Sequence, residues 1–192
     1  MKKRFLIALI ISAVLLGCER DDICAAGTAT TPRVIIEFYN VDNPLQLRSV
    51  PRLSVYGESL FINDTGEFVP PTEISDDIVS YNEQVLFDSN ISEIGLPLRI
   101  GNEGDVISTR FVLERNTNAR LDEDDTTDSN IDVIELAYIP NFKYVSRACG
   151  YKSIFEALSI SLENDGELWI NTIEVIETIV ENETRVHVKI FH

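Results

Sequence analysis

Three cysteines, Cys18, Cys24 and Cys149, and two histidines, His187 and His192, carry most of the reactive chemistry open to this chain. A thiol becomes a useful nucleophile when a base lies beside it. Both histidines fall at the C-terminal end, five residues apart on a strand-like run that would set them on opposite faces. A catalytic thiol is therefore not expected. Cys18 closes an apolar run, and Cys24 follows six residues later across a mostly acidic stretch, so the cysteines point to anchoring and cross-linking.

Residues 1–4 are Met-Lys-Lys-Arg, residues 5–16 are apolar apart from Ser12, and Leu15-Leu16-Gly17-Cys18 ends the run. A helix that spans a bilayer takes ~20 apolar residues, more than this run supplies. The pattern is that of an export signal over residues 1–17. Leu-x-Gly-Cys resembles a bacterial lipobox, in which the cysteine sulfur is acylated with palmitate-type chains and becomes the first mature residue. An ordinary cleaved signal is the alternative. Each buried methylene contributes ~0.8 kcal/mol, so two or three chains on Cys18 would hold the protein at a membrane.

Loss of residues 1–17 removes three basic residues and leaves 13 against 32 acidic ones, a net charge of −19 where the full chain carries −16. Such a balance argues against nucleic acid and anionic headgroups as partners. It suits a face turned to water, or to a basic or cation-bridged partner.

With Cys18 lipidated, Cys24 and Cys149 remain as an even pair in an oxidising compartment, and a disulfide between them is expected. Two free buried thiols are the alternative. The bridge would leave residues 18–23 as the acylated tether and residues 24–192 as one domain. Fully extended, that tether keeps the domain within ~20 Å of the membrane. A leash so short favours partners in the same membrane.

The densest acidic stretch is 121–132, where Asp124, Thr126, Asp128, Asn130, Asp132 and Glu135 match the oxygen spacing of a calcium loop. Ser129 stands where that loop wants glycine, and the residues after it alternate like a strand, so a solvated loop is the simpler reading. Proximity among 32 carboxylates says nothing about glycosidase chemistry. The sequence has no glycine-rich phosphate loop, histidine-rich metal cluster or nucleophile elbow. No catalytic residue, cofactor or metal is therefore assigned, and the protein is not expected to be an enzyme.

The elements that must position these groups read as strands. Residues 33–39, 52–56, 94–100, 108–114 and 132–139 alternate or are β-rich, with Pro97 demoting its segment to an edge strand or bulge. Residues 169–180 and 185–191 read as a hairpin around Glu181-Asn182-Glu183, with Val186, Val188 and Ile190 inward and His187 outward. One short helix is suggested over 151–162 by Ile154, Phe155 and Leu158, and residues 63–88 are loop-rich. The sum is an immunoglobulin-like antiparallel β-sandwich of about seven strands. Its bridge would staple the N-terminus to the sandwich, because Cys24 precedes the first strand.

Asp21-Asp22-Ile23-Cys24, Thr31-Pro32-Arg33 with Phe38-Tyr39, Gly95-Leu96-Pro97-Leu98, and residues 144–151 together resemble a family of small uncharacterised outer-membrane lipoproteins of the Bacteroidota. The resemblance covers nearly the whole mature chain and implies no catalytic activity and no active-site motif. In that phylum, acidic residues just after the acylated cysteine resemble a signal for the outer leaflet. Glu19, Asp21 and Asp22 fit and Arg20 interrupts, which leaves the periplasmic and cell-surface sides both open. Asp125-Thr126-Thr127 is similar to the O-glycosylation acceptor of exported proteins there, which makes Thr126 a candidate modification site.

Two functions remain from different classes. One is an accessory subunit, lipid-anchored in the outer membrane, that docks on an outer-membrane barrel or lipoprotein complex through sheet edges or loops. The other is a module that binds an extracellular glycan or other ligand on exposed rings. Several tyrosines emerging with Trp169 on one face would favour sugar.

Overall fold

The computed structural model describes residues 23–24, 31–58, 64–66, 69–72, 84–124 and 126–192. Residues 1–17, Cys18 and the acidic residues of the tether lie outside the described residues.

Ten strands form two five-stranded sheets among the described residues, where the sequence suggested about seven strands. The first sheet is built on β1 (Val34–Asn40). Along one edge β1 pairs in parallel with β10 (Val188–Phe191), with Ile36 opposite Val188. Along its other edge it pairs antiparallel with β2 (Asn43–Leu47) and β5 (Glu93–Leu96). β9 (Thr172–Val175) completes this sheet beside β10. The second sheet runs β4 (Gln84–Ile91), β3 (Val50–Gly57), β6 (Ile107–Arg115), β7 (Asn130–Ser146) and β8 (Gly150–Leu162), all antiparallel.

Strict alternation explains the core. Val34, Ile36 and Phe38 of β1 point to the same face as Val188 and Ile190, and all are fully buried. Opposite them lie Val55, Phe111, Leu113, Ile134 and Leu136 of the second sheet. Trp169 joins this core and donates its indole N–H to the Leu113 carbonyl at 3.2 Å. An all-β sandwich is thus the architecture, with one short helix, α1 (Thr117–Leu121).

That helix is not where the sequence put it. Residues 151–162 are strand, and the helical look of Phe155 and Leu158 comes from a bulge. Pairing steps from Ala137–Ser159 to Ile139–Glu156, so β8 holds one extra residue there, and Ala157 takes a positive φ of 53°. The insertion shifts the phase, so Phe155 and Leu158, three apart, both turn inward. Of the suggested strand 169–180 only Thr172–Val175 pairs with β10, and the connection to β10 is correspondingly longer than Glu181-Asn182-Glu183. Residues 84–88, within the stretch read as loop, begin β4.

Candidate functional site

β7 and β8 are the longest strands, and they outrun the sandwich. β6 pairs with β7 only as far as Tyr138; the Pro140 carbonyl still accepts from the Gly104 N–H at 3.0 Å, but among the described residues β8 is the one strand that pairs with 139–146, which extend as a two-stranded ribbon. A tight connection closes it: Gly150 adopts φ 68°, as a hairpin turn of this kind requires, and Cys149 donates its backbone N–H to Ser146 Oγ at 3.1 Å. Cys149 is bonded to Cys24 at this tip, with a Cα separation of 4.7 Å. The expected disulfide is therefore present, and the N-terminal segment meets the fold at the ribbon's end.

The ribbon's side chains are unlike the rest of the chain. Tyr144 and Tyr151 stand opposite one another, their rings meeting edge to face at 5.5 Å, and Phe142 lies on the same face two residues along. Tyr144 and Tyr151 are 56% and 65% exposed. Val145, Phe142 and, beside the disulfide, Ile23 are exposed as well. On the other face Lys143 and Lys152 both pair with Glu181, at 2.6 and 3.4 Å, which ties the ribbon's base to the β9–β10 connection. Phe155 and Val180 reinforce that joint with a pair of backbone hydrogen bonds.

Two buried carboxylates, Glu114 and Asp132, are occupied in holding the fold. Glu114 is fully buried; its carboxylate accepts from Arg120 Nε at 2.5 Å, Ser129 Oγ at 2.6 Å and Tyr56 O–H at 3.1 Å. Burial next to that carboxylate raises the Tyr56 phenol far above its ordinary range. Asp132 accepts the backbone N–H groups of Ile170 at 2.8 Å and Trp169 at 3.3 Å, while burial pushes its carboxyl up.

His187 is not on an outer, solvated face as expected; it is 2% exposed, because the β9–β10 connection covers it. Its Nδ1 accepts the Ile35 backbone N–H at 3.0 Å, and burial lowers its basicity. An open depression of about 200 Å³ beside it is lined by Glu177, Ile179, Glu181, Asn182 and Arg185. His192 sits at the other end of β10, packed edge-on against Trp169 and Phe38. The two histidines are thus not brought together, and Cys149 is bound to Cys24 rather than near either.

The acidic stretch resolves into a turn followed by a strand. Asp124 Oδ1 accepts from both the backbone N–H and the hydroxyl of Thr126, Asp122 accepts from Thr127 Oγ, Asn130 opens β7, and Asp132 turns to Trp169 and Ile170. The oxygens spaced as in a calcium loop do not converge. Among the described residues no group of three or more His, Cys, Asp or Glu is arranged to hold a metal ion. Thr126 is exposed, as a glycan acceptor would have to be, though its hydroxyl is engaged; Asp125 lies outside the described residues.

Phe38, Tyr56, Tyr138 and Trp169 are buried, whereas Tyr39 is half-buried and Tyr144 is exposed. The exposed ribbon tip was not legible as a site, since Tyr144 alternates like a core residue. The absence of any carboxylate between Glu135 and Glu156, in a chain with 32, was the available signal.

The chain belongs to a family of unknown function, DUF6452, whose model matches residues 68–192. The match takes in β4 to β10 with the whole ribbon and Cys149, and leaves out β1 to β3 and Cys24. Comparison with curated proteins and with solved structures finds no match for this chain.

Proposed function

We propose that this DUF6452 member is a non-catalytic lipoprotein of the outer membrane, acylated at Cys18, that serves as an accessory subunit docking on an outer-membrane barrel or lipoprotein complex. The observation that carries this reading is the bridge from Cys24 to Cys149 at the ribbon tip. It leaves only residues 19–23 between the lipidated cysteine and the folded domain, a span of ~20 Å at most. A domain held so close meets membrane neighbours first.

The sandwich offers such neighbours an edge. Arg33, just before β1, pairs with Glu183, and Glu181 two residues earlier holds Lys143 and Lys152 of the ribbon, so the start of β1 is tied to the ribbon's base, whereas the β1–β2 hairpin lies at the opposite end with His192. There Val41, Leu45 and Leu47 are exposed on and beside β2, which among the described residues pairs on one side only; Leu45 is 93% exposed. A free edge flanked by apolar side chains is a docking surface for a strand or a flat apolar face.

Sugar recognition draws less support. Trp169 is buried, and the two exposed tyrosines meet edge to face rather than forming a flat row.

The test is purification from native membranes in mild detergent followed by mass spectrometry. The affinity tag belongs in the exposed turn at 164–166, because the His192 carbonyl accepts from Val41 N and Arg48 Nη1. A stoichiometric outer-membrane partner supports the reading. Recovery of the acylated protein alone contradicts it.

A further inference from the structure

We infer that the tip of the β7–β8 ribbon is a second membrane contact, which rests Tyr144, Tyr151 and Phe142 among the phospholipid headgroups of the leaflet that carries the anchor. This rests on the lipid-anchor reading of Cys18.

Position comes first. The ribbon leaves the sheet after Tyr138, and the disulfide fastens the N-terminal segment to its far end. Whatever surface holds Cys18 lies within the tether's reach of the tip, ~20 Å. No other part of the described fold is joined so directly to the anchor.

Side-chain chemistry fits that surface. Tyrosine has an apolar ring and a polar end, and it concentrates where hydrocarbon gives way to water. Two exposed tyrosines and Phe142 share one face of the ribbon, and Val145, next to Tyr144 in the chain, and Ile23, next to Cys24, are exposed as well.

Charge agrees. Residues 136–155 contain Lys143, Arg147 and Lys152 and no carboxylate, although the chain has 32. Overall negative charge opposes approach to a membrane, yet residues 136–155 supply none of it: Glu181 at the ribbon's base is paired with Lys143 and Lys152, and the other acidic groups joined to the tip, Glu19, Asp21 and Asp22, belong to the tether. Arg147 is exposed at the turn itself. A zwitterionic surface, such as phosphatidylethanolamine, is the occupant this combination suits.

The two contacts work together. A lipid chain fixes the distance of a domain from the membrane but not its orientation. Once Cys18 is inserted, the tip meets lipid as an intramolecular event at high effective concentration, so a weak contact suffices. Seated in this way, the tip turns the β1–β2 hairpin away from the bilayer, toward any partner that rises above it.

The test uses full-length acylated protein reconstituted into vesicles of phosphatidylethanolamine and phosphatidylcholine, with and without bromine on the acyl chains. Tyr151→Trp and Tyr144→Trp each add a reporter to the native, buried Trp169. Bromine should quench the added emission, which should also shift to the blue, while the native protein's emission stays unchanged. Flotation with the vesicles but no quenching of either reporter overturns the tip contact and leaves the anchor standing. Failure to float, with unmodified Cys18 by mass, overturns both. A reporter shielded from aqueous iodide in native membranes yet unquenched in brominated vesicles identifies a protein on the tip, and it also overturns the proposal.

Discussion

Cys24 and Cys149 lie 125 residues apart in the chain and 4.7 Å apart at their Cα atoms, joined by a disulfide at the end of a ribbon that projects beyond both sheets. The bridge does two things at once. It removes freedom from the unfolded chain across β1 to β7, and it decides which end of the sandwich the N-terminal segment enters.

Replacing both cysteines with serine should therefore lower stability by about 5 kcal/mol, the chain-entropy value for so long a loop. Urea unfolding of the native and Cys24→Ser/Cys149→Ser proteins measures it. The core should survive, because none of its buried side chains depends on the bridge.

Glu114 is held by Arg120, Ser129 and Tyr56 with no access to water. Glu114→Ala leaves Arg120, whose side chain is only 17% exposed, without its counter-charge. The expected loss is about 3–5 kcal/mol, as for other buried pairs broken on one side. Arg120→Ala should cost a similar amount. The double substitution should cost clearly less than the two singles together, which urea titration of the cycle would show.

His187 gives stability a pH dependence of definite sign. Burial lowers its folded pKa, with Glu177 and Glu183 partly opposing the shift. Its contribution is present in full above the ordinary value of 6.5 and is lost as pH falls from there through the depressed folded value. Glu183, held below the usual carboxylate range by Arg33, adds a separate loss at lower pH. Unfolding free energies at a series of pH values should thus decline below neutrality. His187→Asn keeps an acceptor for the Ile35 N–H without a proton to gain, and it should reduce the first decline without abolishing it, because burial lowers the basicity of His192 in the same direction.

The β2 edge can be separated from folding. Leu45 is almost wholly exposed, so Leu45→Asp should change stability by no more than about 0.5 kcal/mol. On the docking account it should abolish partner recovery from membranes. Equal recovery by native and variant protein would remove β2 from the interface.

The sequence revealed the strands wherever alternation was uninterrupted. β1, β3 and β6 fall within a residue or two of the expected runs, although each buries consecutive residues on both faces. Reading failed where a local event broke the period. The bulge at Ala157 placed Phe155 and Leu158 at helical spacing within a strand, and β7 continued through Pro140 into a ribbon that no sheet pattern announces. His187 was misjudged for another reason: alternation reports which way a side chain leaves a strand, not whether a later segment covers it. Cysteine parity anticipated the bridge, but only the pairing register shows that it sits on a projecting, carboxylate-free tip.

The central claim is that an acylated Cys18 and the disulfide hold this sandwich beside a membrane partner. Recovery of the protein tagged at 164–166 from native membranes, after brief cross-linking, tests it most directly. The account expects an acyl-modified N-terminus at Cys18 and a defined outer-membrane partner cross-linked near the β1–β2 hairpin. Protein without lipid at Cys18, or acylated protein recovered without any stoichiometric partner, would contradict it.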